Sequence, residues 1–380
     1  MKETSKITRR EFLELTAAAS GAIALNSLGC TASKGRENYK IFSSGQIGNL
    51  NLKNRLIRSA TFESAAVNGE VTDTYLNLLR TLAAGGAGMI ITGVLGVFEE
   101  NAFERTIQIY DDRFIDSLAE VLEEVRFADS QCKLVGQLYH TGDFDGPSIN
   151  NWPYKANRNA LSTDKIAEIV SGFAEAVERV QKAGWDGVEI HAAHQYLLSS
   201  FLSPITNKRE DNYGGSVENR VRIISEIMSE ARNRVGSDFM IIIKLNGSDY
   251  FGGGIDIDSF PEIALEIEKT GVDAIDISGV NCLVKGIPTP PDQSYFLKYA
   301  EALDIELPII LTGGNRSVEL LEDIAQENKI DFFAMARPLV REPDLPNRWL
   351  SGEGDAKPDC ISCNQCFKVI ASESLHCVWV

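Results

Sequence analysis

Asp186-Gly187-Val188-Glu189-Ile190-His191-Ala192-Ala193-His194-Gln195-Tyr196-Leu197-Leu198 leads, four residues on, into Ser203-Pro204-Ile205-Thr206-Asn207-Lys208-Arg209-Glu210-Asp211-Asn212-Tyr213-Gly214-Gly215-Ser216-Val217-Glu218-Asn219-Arg220. The first half is a short apolar strand, residues 187–190, that ends in His191, His194 and Tyr196, so three hydrogen-bonding side chains leave one strand end together. The second half is a polar loop. Beyond it, residues 217–235 carry apolar side chains at helical spacing with charges opposite. A strand, a polar loop and an amphipathic helix in this order form the repeating unit of a parallel α/β sheet, in which all strand ends face one way.

Seven further runs of strand character flank this one, at residues 56–62, 88–92, 134–138, 240–245, 274–277, 308–311 and 332–335. Amphipathic stretches at 114–127 and 166–183 serve as crossover helices. Eight strands in alternation with helices predict a TIM (β/α)8 barrel over residues 39–348, with a doubly wound open sheet as the alternative. No Gly-x-Gly-x-x-Gly follows a candidate strand, so no dinucleotide-binding domain is expected. With 380 residues, 44% of them hydrophobic, the chain can build one large core. Its formal net charge of −17 argues against nucleic acid or an anionic membrane surface as a partner, because each phosphate contact needs a Lys or Arg.

The run from Asp186 to Arg220 resembles the signature of the old yellow enzyme family of flavin-dependent oxidoreductases, and the resemblance extends over residues 39–366. It implies FMN at the carboxyl end of the barrel and hydride delivery to an activated alkene, such as an α,β-unsaturated carbonyl, in a small electrophilic substrate. By the same resemblance His191 and His194 hold the substrate oxygen and Tyr196 donates a proton, and the His-x-x-His spacing is that of a bacterial reductase branch. The chemistry fits: hydride addition to the β carbon of an enone builds negative charge on oxygen, which two preorganised donors stabilise in a dry pocket, and a tyrosine then protonates the neighbouring carbon. A structural histidine pair, or a metal pair completed by Glu189 or His140, is the other reading.

The flavin contacts implied by the resemblance fall at successive strand ends. Ser59, Ala60 and Thr61 pass beside the ring, Gly93 borders it, and the Gln137 amide can both donate to and accept from its pyrimidine edge. Either Thr61 or Phe62 takes the position that tunes the flavin. Lys244 interrupts Ile241-Ile242-Ile243 and Leu245 in a strand covered on both faces, a costly place for an ammonium without an anion. Reduced flavin would be that anion. Gly313, Gly314 and Asn315 after strand seven, with Ala336 and Arg337 after strand eight, stand where barrels commonly bind phosphate. Ala336 replaces the family's usual Gly, and Arg337 offers a fork of donors. Arg209, Asp211, Glu218 and Arg220 read as ion pairs that fix the loop.

Four of the seven cysteines crowd the last twenty-one residues as Cys360-x2-Cys363-x2-Cys366-x10-Cys377. This spacing suits three corners of a cubane with a distant fourth, and it resembles the 4Fe-4S motif of the dienoyl-CoA reductase and trimethylamine dehydrogenase branch. A four-cysteine zinc site and an empty motif are the alternatives. Residues 349–380 are expected to form a Cys-rich tail, with 351–358 leading off the barrel. In that branch flavin and pyridine-nucleotide domains follow the barrel, so here the electron donor is expected to be another protein or NAD(P)H visiting the flavin directly.

At the other end, Thr8-Arg9-Arg10-Glu11-Phe12-Leu13 precedes an Ala-rich stretch ending at Gly29-Cys30, which resembles a twin-arginine export signal over residues 1–30 with a lipobox. The stretch is too short and interrupted for a membrane span. It implies export to the periplasm or cell envelope, with lipid attachment at Cys30 less well matched because Ser27 stands where a lipobox has Leu. Membrane contact is then through the signal or the lipid alone; an N-terminal helix with a chance Arg pair is the alternative. The competing functions are a dehydrogenase or demethylase of the trimethylamine dehydrogenase type and a non-enzymatic, ligand-binding lipoprotein. The histidine pair speaks against the first, since amines offer no oxyanion. In the second, Lys244 and Gln137 would have no flavin to serve.

Overall fold

Eight parallel strands follow one another round a closed ring: β1 (Leu56–Arg58), β2 (Met89–Gly96), β3 (Lys133–Tyr139), β4 (Gly187–Ala192), β5 (Met240–Asn246), β6 (Ile275–Ser278), β7 (Ile309–Thr312) and β8 (Phe332–Met335). β8 returns to β1 through Phe333 opposite Leu56 and Met335 opposite Arg58, and β1 in turn pairs with β2. The expected barrel is therefore closed, and the open-sheet alternative is set aside. The computed structural model describes residues 35–379 apart from 102–103, 143–144, 147–149, 153–154 and 328–329. The export-signal reading of residues 1–30 and Cys30 lie outside the described residues.

Side-chain alternation builds two cores. Outward-facing Val188, Ile190, Ile241, Ile243, Leu311 and Phe333 meet the helices, whereas Ile57, Met89, Val135, Met240, Ile242, Ile310 and Phe332 fill the barrel. The crossover helices are α1 (Asp73–Ala84), α2 (Ile115–Ala128), α3 (Thr163–Lys182), α4 (Val217–Val235), α5 (Phe260–Glu268), α6 (Leu297–Glu301), α7 (Val318–Glu327) and α8 (Leu345–Ser351). α3 starts where Ser162 accepts the Lys165 amide at 3.2 Å, and it buries Ile166, Ile169, Phe173, Val177 and Val180 along one face. α4 begins at Ser216 and stops at Gly236, whose φ of 78° is a left-handed conformation suited to glycine.

Three elements were not expected. A hairpin of Gly45–Ile47 and Leu50–Leu52 plugs the amino end of the barrel with the fully buried Ile47 and Leu52. A short strand, Ile107–Gln108, extends the sheet beside β2. Strands Asp145–Gly146, Asn150–Trp152 and Lys155–Ala160 form a small sheet after β3. Among the described residues no helix is long and apolar enough to cross a membrane.

Candidate active site

Toward the carboxyl end the barrel interior turns from apolar to polar. Two residues beyond Val135, Ile242 and Ile310 on the inward face come Gln137, Lys244 and Thr312, and the neighbouring strands add Glu189 and Asp276. Lys244 Nζ lies 3.2 Å from Glu189 Oε1 and in direct contact with Asp276 Oδ2, and both carboxylates are fully buried. The Gln137 amide donates to Glu189, and the Thr312 hydroxyl donates to Asp276 Oδ1 at 2.7 Å. Burial pulls the Lys244 pKa down, but Asp276 and Glu189 more than offset it and hold the ammonium charged. The costly ammonium thus already has two counter-ions in the protein itself.

Gln137, Lys244 and Thr312 form part of the floor of a cavity of about 1280 Å³, counted with its open mouth. His191, His194 and Tyr196 stand in its wall. His191 Nδ1 accepts the Ala193 amide at 3.3 Å, which leaves Nε2 to carry the ring proton as a donor. His194 Nε2 lies 2.8 Å from Ser278 Oγ, and its backbone, held at φ 56°, donates to Asn246 Oδ1 at 2.9 Å. Burial, with the Lys244 charge second, pulls the His194 pKa down to about 3, so this ring is neutral at neutral pH. The His191 ring packs edge to face on His194 at 5.0 Å and on Tyr196 at 4.8 Å, and Tyr196 packs likewise on Tyr139 at 5.6 Å. Rotamers locked this way hold three polar groups at one wall.

The loops after β7 and β8 form the facing wall with Gly313, Gly314, Asn315, Ala336 and Arg337. Gly313 and Gly314 have φ of 106° and 78°, and a Cβ on Gly314 would come within 2.8 Å of the Tyr295 ring and the Ser294 amide. Two glycines in this conformation leave backbone as the cavity surface. The Arg337 guanidinium donates to Val284 O at 2.7 Å and Asn364 Oδ1 at 2.5 Å, which ties it to the tail as well as to the cavity. Ser59, Ala60, Thr61 and Phe62 line the β1 side.

Gly93 stands apart from this lining. Its amide donates to Glu63 Oε1 at 2.8 Å, and a Cβ there would overlap Glu63 and the Thr61 carbonyl. Its neighbour Val94 faces the cavity instead. Glu63 in turn pairs with Arg58 at 2.8 Å, both buried, and Arg58 donates to Ile91 O at 2.7 Å and Thr61 O at 3.1 Å. This pair shapes residues 59–63 and went unread in the sequence, although a charged residue directly after Leu56-Ile57 is the same signal that marked Lys244. Of the loop residues read as ion pairs, Arg209 grips Asp211 at 2.5 Å and 2.9 Å, whereas Arg220 donates to the Leu202 and Gly215 carbonyls.

The tail does not lead away. Ala356 O accepts the Val318 amide, and residues 359–379 fold over the mouth of the barrel. Leu375 N donates to Glu63 O at 2.8 Å, Ser64 Oγ to Ile370 O at 2.9 Å, Asn364 Nδ2 to Leu283 O at 2.9 Å and Arg316 to Ser362 Oγ at 3.2 Å. Phe367, Ile370 and Leu375 thereby become part of the cavity wall, as does Cys282, whose thiol burial pushes up. Cys360, Cys363, Cys366 and Cys377 line a second pocket of about 690 Å³, which shares Cys366, Ser362 and Arg337 with the first. Among the described residues no three His, Cys, Asp or Glu side chains converge on a point that would hold a single metal ion. The zinc reading of the thiols and the metal reading of the histidines therefore lack a formed site, and Glu189 is engaged with Lys244 and Gln137 instead.

A profile of the NADH:flavin oxidoreductase / NADH oxidase family matches residues 40–355. A metal reductase of Desulforamulus reducens is 37% identical over 343 residues, which cover 86% of this chain and 51% of that protein. An NADPH dehydrogenase of Halalkalibacterium halodurans is 32% identical over 81% of this chain and 93% of its own length. Among solved structures, 2-naphthoyl-CoA reductase in complex with 2-naphthoyl-CoA superposes with a TM-score of 0.82 at 26% identity, over 89% of this chain and 56% of that one. The chain thus spans about half the length of the metal reductase, and most of the dehydrogenase.

Proposed function

Since this chain belongs to the NADH:flavin oxidoreductase / NADH oxidase family, we propose that it is an FMN-dependent oxidoreductase that reduces an activated alkene, an α,β-unsaturated carbonyl compound, in the cavity at the carboxyl end of its barrel. The observation that carries this reading is the grouping of His191, His194 and Tyr196 on one wall, opposite the Gly313-Gly314 and Ala336-Arg337 loops and above Gln137 and Lys244. These residues fit FMN: bare glycine backbone and Arg337 suit a phosphate, and the Gln137 amide and Lys244 ammonium suit the pyrimidine edge of a flavin. Bound FMN would supply the hydride.

The chain's own residues do the rest. His191 Nε2 donates to the substrate carbonyl oxygen, and His194, neutral and steered by Ser278, presents its second ring nitrogen to the same oxygen. Tyr196, held between His191 and Tyr139, delivers a proton to the carbon next to the carbonyl. The apolar Phe367, Ile370 and Leu375 keep water away from that exchange. Anaerobic mixing of flavin-loaded, reduced protein with an enone tests this: flavin reoxidation with formation of the saturated ketone is expected, and a reduced flavin that ignores every enone refutes it.

The thiol pocket supports a 4Fe-4S cluster as electron relay. Cys360, Cys363, Cys366 and Cys377 line one pocket, their Cys-x2-Cys-x2-Cys spacing is that of cluster ligands, and Cys366 belongs to both pockets. The donor would then be a redox protein, with NAD(P)H entering the flavin cavity as the alternative that the relatives' names favour. Iron and sulfide analysis of anaerobically purified protein, with Cys363→Ser as control, decides between a cluster and none. Arg9-Arg10 and Cys30 support export by the twin-arginine route with lipid attachment at Cys30, and fractionation of cells carrying Arg9→Lys/Arg10→Lys tests it.

A further inference from the structure

The polar layer beneath the cavity holds more negative charge than it balances. Lys244, only 2% exposed, faces two carboxyl groups of 0% exposure, Glu189 and Asp276. Asp276 is fixed by Thr312 and Lys244, and Glu189 Oε2 by the Gln137 amide. Glu189 Oε1, however, is buried with no hydrogen bond of good geometry, its nearest cation being the Lys244 ammonium at 3.2 Å. Among the described residues no further cation pairs with either carboxyl group: β3 contributes the neutral Gln137, Arg58 of β1 pairs with Glu63, and burial keeps His194, above them, neutral. One ammonium with two ionised carboxylates would leave an uncompensated negative charge in a dry layer, which proteins avoid by binding a proton.

Resting on the FMN reading, we propose that Glu189 and Asp276 share one proton beneath Lys244, and that this carboxyl pair takes up or releases the proton as negative charge enters or leaves the flavin cavity. Glu189 is then a positioning residue that couples the redox state of the flavin to a proton held by the protein. With one ammonium between two fully buried carboxyl groups, ionising both leaves a negative charge that nothing offsets. Burial raises the Glu189 carboxyl, and Asp276 raises it further against the opposing pull of Lys244. The exchange balances as follows. A nicotinamide donor brings two electrons and one proton as hydride; the new negative charge competes with the carboxyl pair for Lys244 and raises the pair's proton affinity, so at alkaline pH, where the shared proton has been lost, the pair takes that one proton back from water. When the hydride leaves to the substrate, that proton returns to water.

Anaerobic spectroelectrochemistry of the FMN-loaded protein across neutral and alkaline pH tests the proposal. The wild type is expected to pass through a pH window in which it takes up one more proton per two electrons than Glu189→Gln does. A carboxylic C=O band in the reduced-minus-oxidised infrared difference spectrum should vanish in the variant. Asp276→Asn serves as the second variant should Glu189→Gln not hold flavin. Flavin bound normally, with the same proton stoichiometry and the same infrared bands in wild type and variants, overturns the proposal and leaves the FMN reading intact. A wild type that binds no FMN brings down both, and is told apart by its missing flavin spectrum.

Discussion

At the scale of single residues, His191, His194 and Tyr196 make separable predictions. His191→Ala removes one oxyanion donor, worth roughly 2.7–4 kcal/mol, so enone reduction by reduced flavin should fall about a hundredfold to a thousandfold. Tyr196→Phe should slow reoxidation of the reduced flavin while leaving enone affinity near the wild-type value; an unchanged rate for either variant in single-turnover mixing removes that residue from the reaction. His194 also sets a pH dependence. Its folded-state pKa of about 3 lies below the ordinary histidine value, so between the two the unfolded chain binds a proton that the fold excludes. Stability therefore rises with pH across that window and is lost as pH falls through it, by up to about 1.4 kcal/mol per pH unit from this one ring. Urea midpoints should drop less on acidification for His194→Asn than for the wild type, and equal slopes would contradict the burial argument. These residues were legible in the sequence because they cluster within six positions of one strand end. Arg58 and Glu63 were not, because their partnership is made by the chain turning back over β2.

At the scale of elements, the eight strands were legible from apolar runs and their spacing, and residues 217–235 match α4 end to end. The hairpin at the amino end was hidden because each of its strands has only three residues, too few to display an alternation. Residues 351–358, polar and expected to lead off the barrel, instead stay on it through the Ala356 carbonyl, and of the tail beyond them, residues 359–379, only Ser362 and Leu375 are buried. Hydrogen bonds to the barrel mouth, which leave no periodic trace, hold it down. Leu375→Ala removes its one buried apolar side chain, at a cost typical of core truncations of about 2–5 kcal/mol, so limited proteolysis within residues 359–379 should accelerate while the barrel's melting temperature stays put. An unaltered cleavage rate would mean that the polar tethers suffice. In the β7 loop, Gly314→Ala forces a side chain into a backbone at φ 78° and against Tyr295, so FMN affinity should fall tenfold or more in a flavin titration, with the fold retained by circular dichroism. Undiminished affinity would place the phosphate elsewhere.

At the scale of the whole molecule, the closed barrel and the polar layer under its mouth explain one another. Parallel strands deliver all their ends to one face, inward alternation groups Gln137, Glu189, Lys244, Asp276 and Thr312 in one polar zone, and the tail contributes to the wall of the cavity above them. Lys244 was legible as a buried charge, but its partners Glu189 and Asp276 were not, since they come from the two neighbouring strands, Asp276 directly opposite Lys244 and Glu189 opposite Ile242 two residues before it. Under the proposed function this cavity binds FMN, which would pass a hydride to an activated alkene. The measurement that tests it most directly is a double-mixing stopped-flow experiment under anaerobic conditions, in which the flavin-loaded protein is first reduced and then mixed with a cyclic enone, with product analysis by mass. Saturable reoxidation of the flavin absorbance, with a saturated ketone formed mole for mole and a rate lost in His191→Ala, is the result predicted. A protein that holds no flavin, or whose reduced flavin reoxidises at the same slow rate with and without enone, would contradict it.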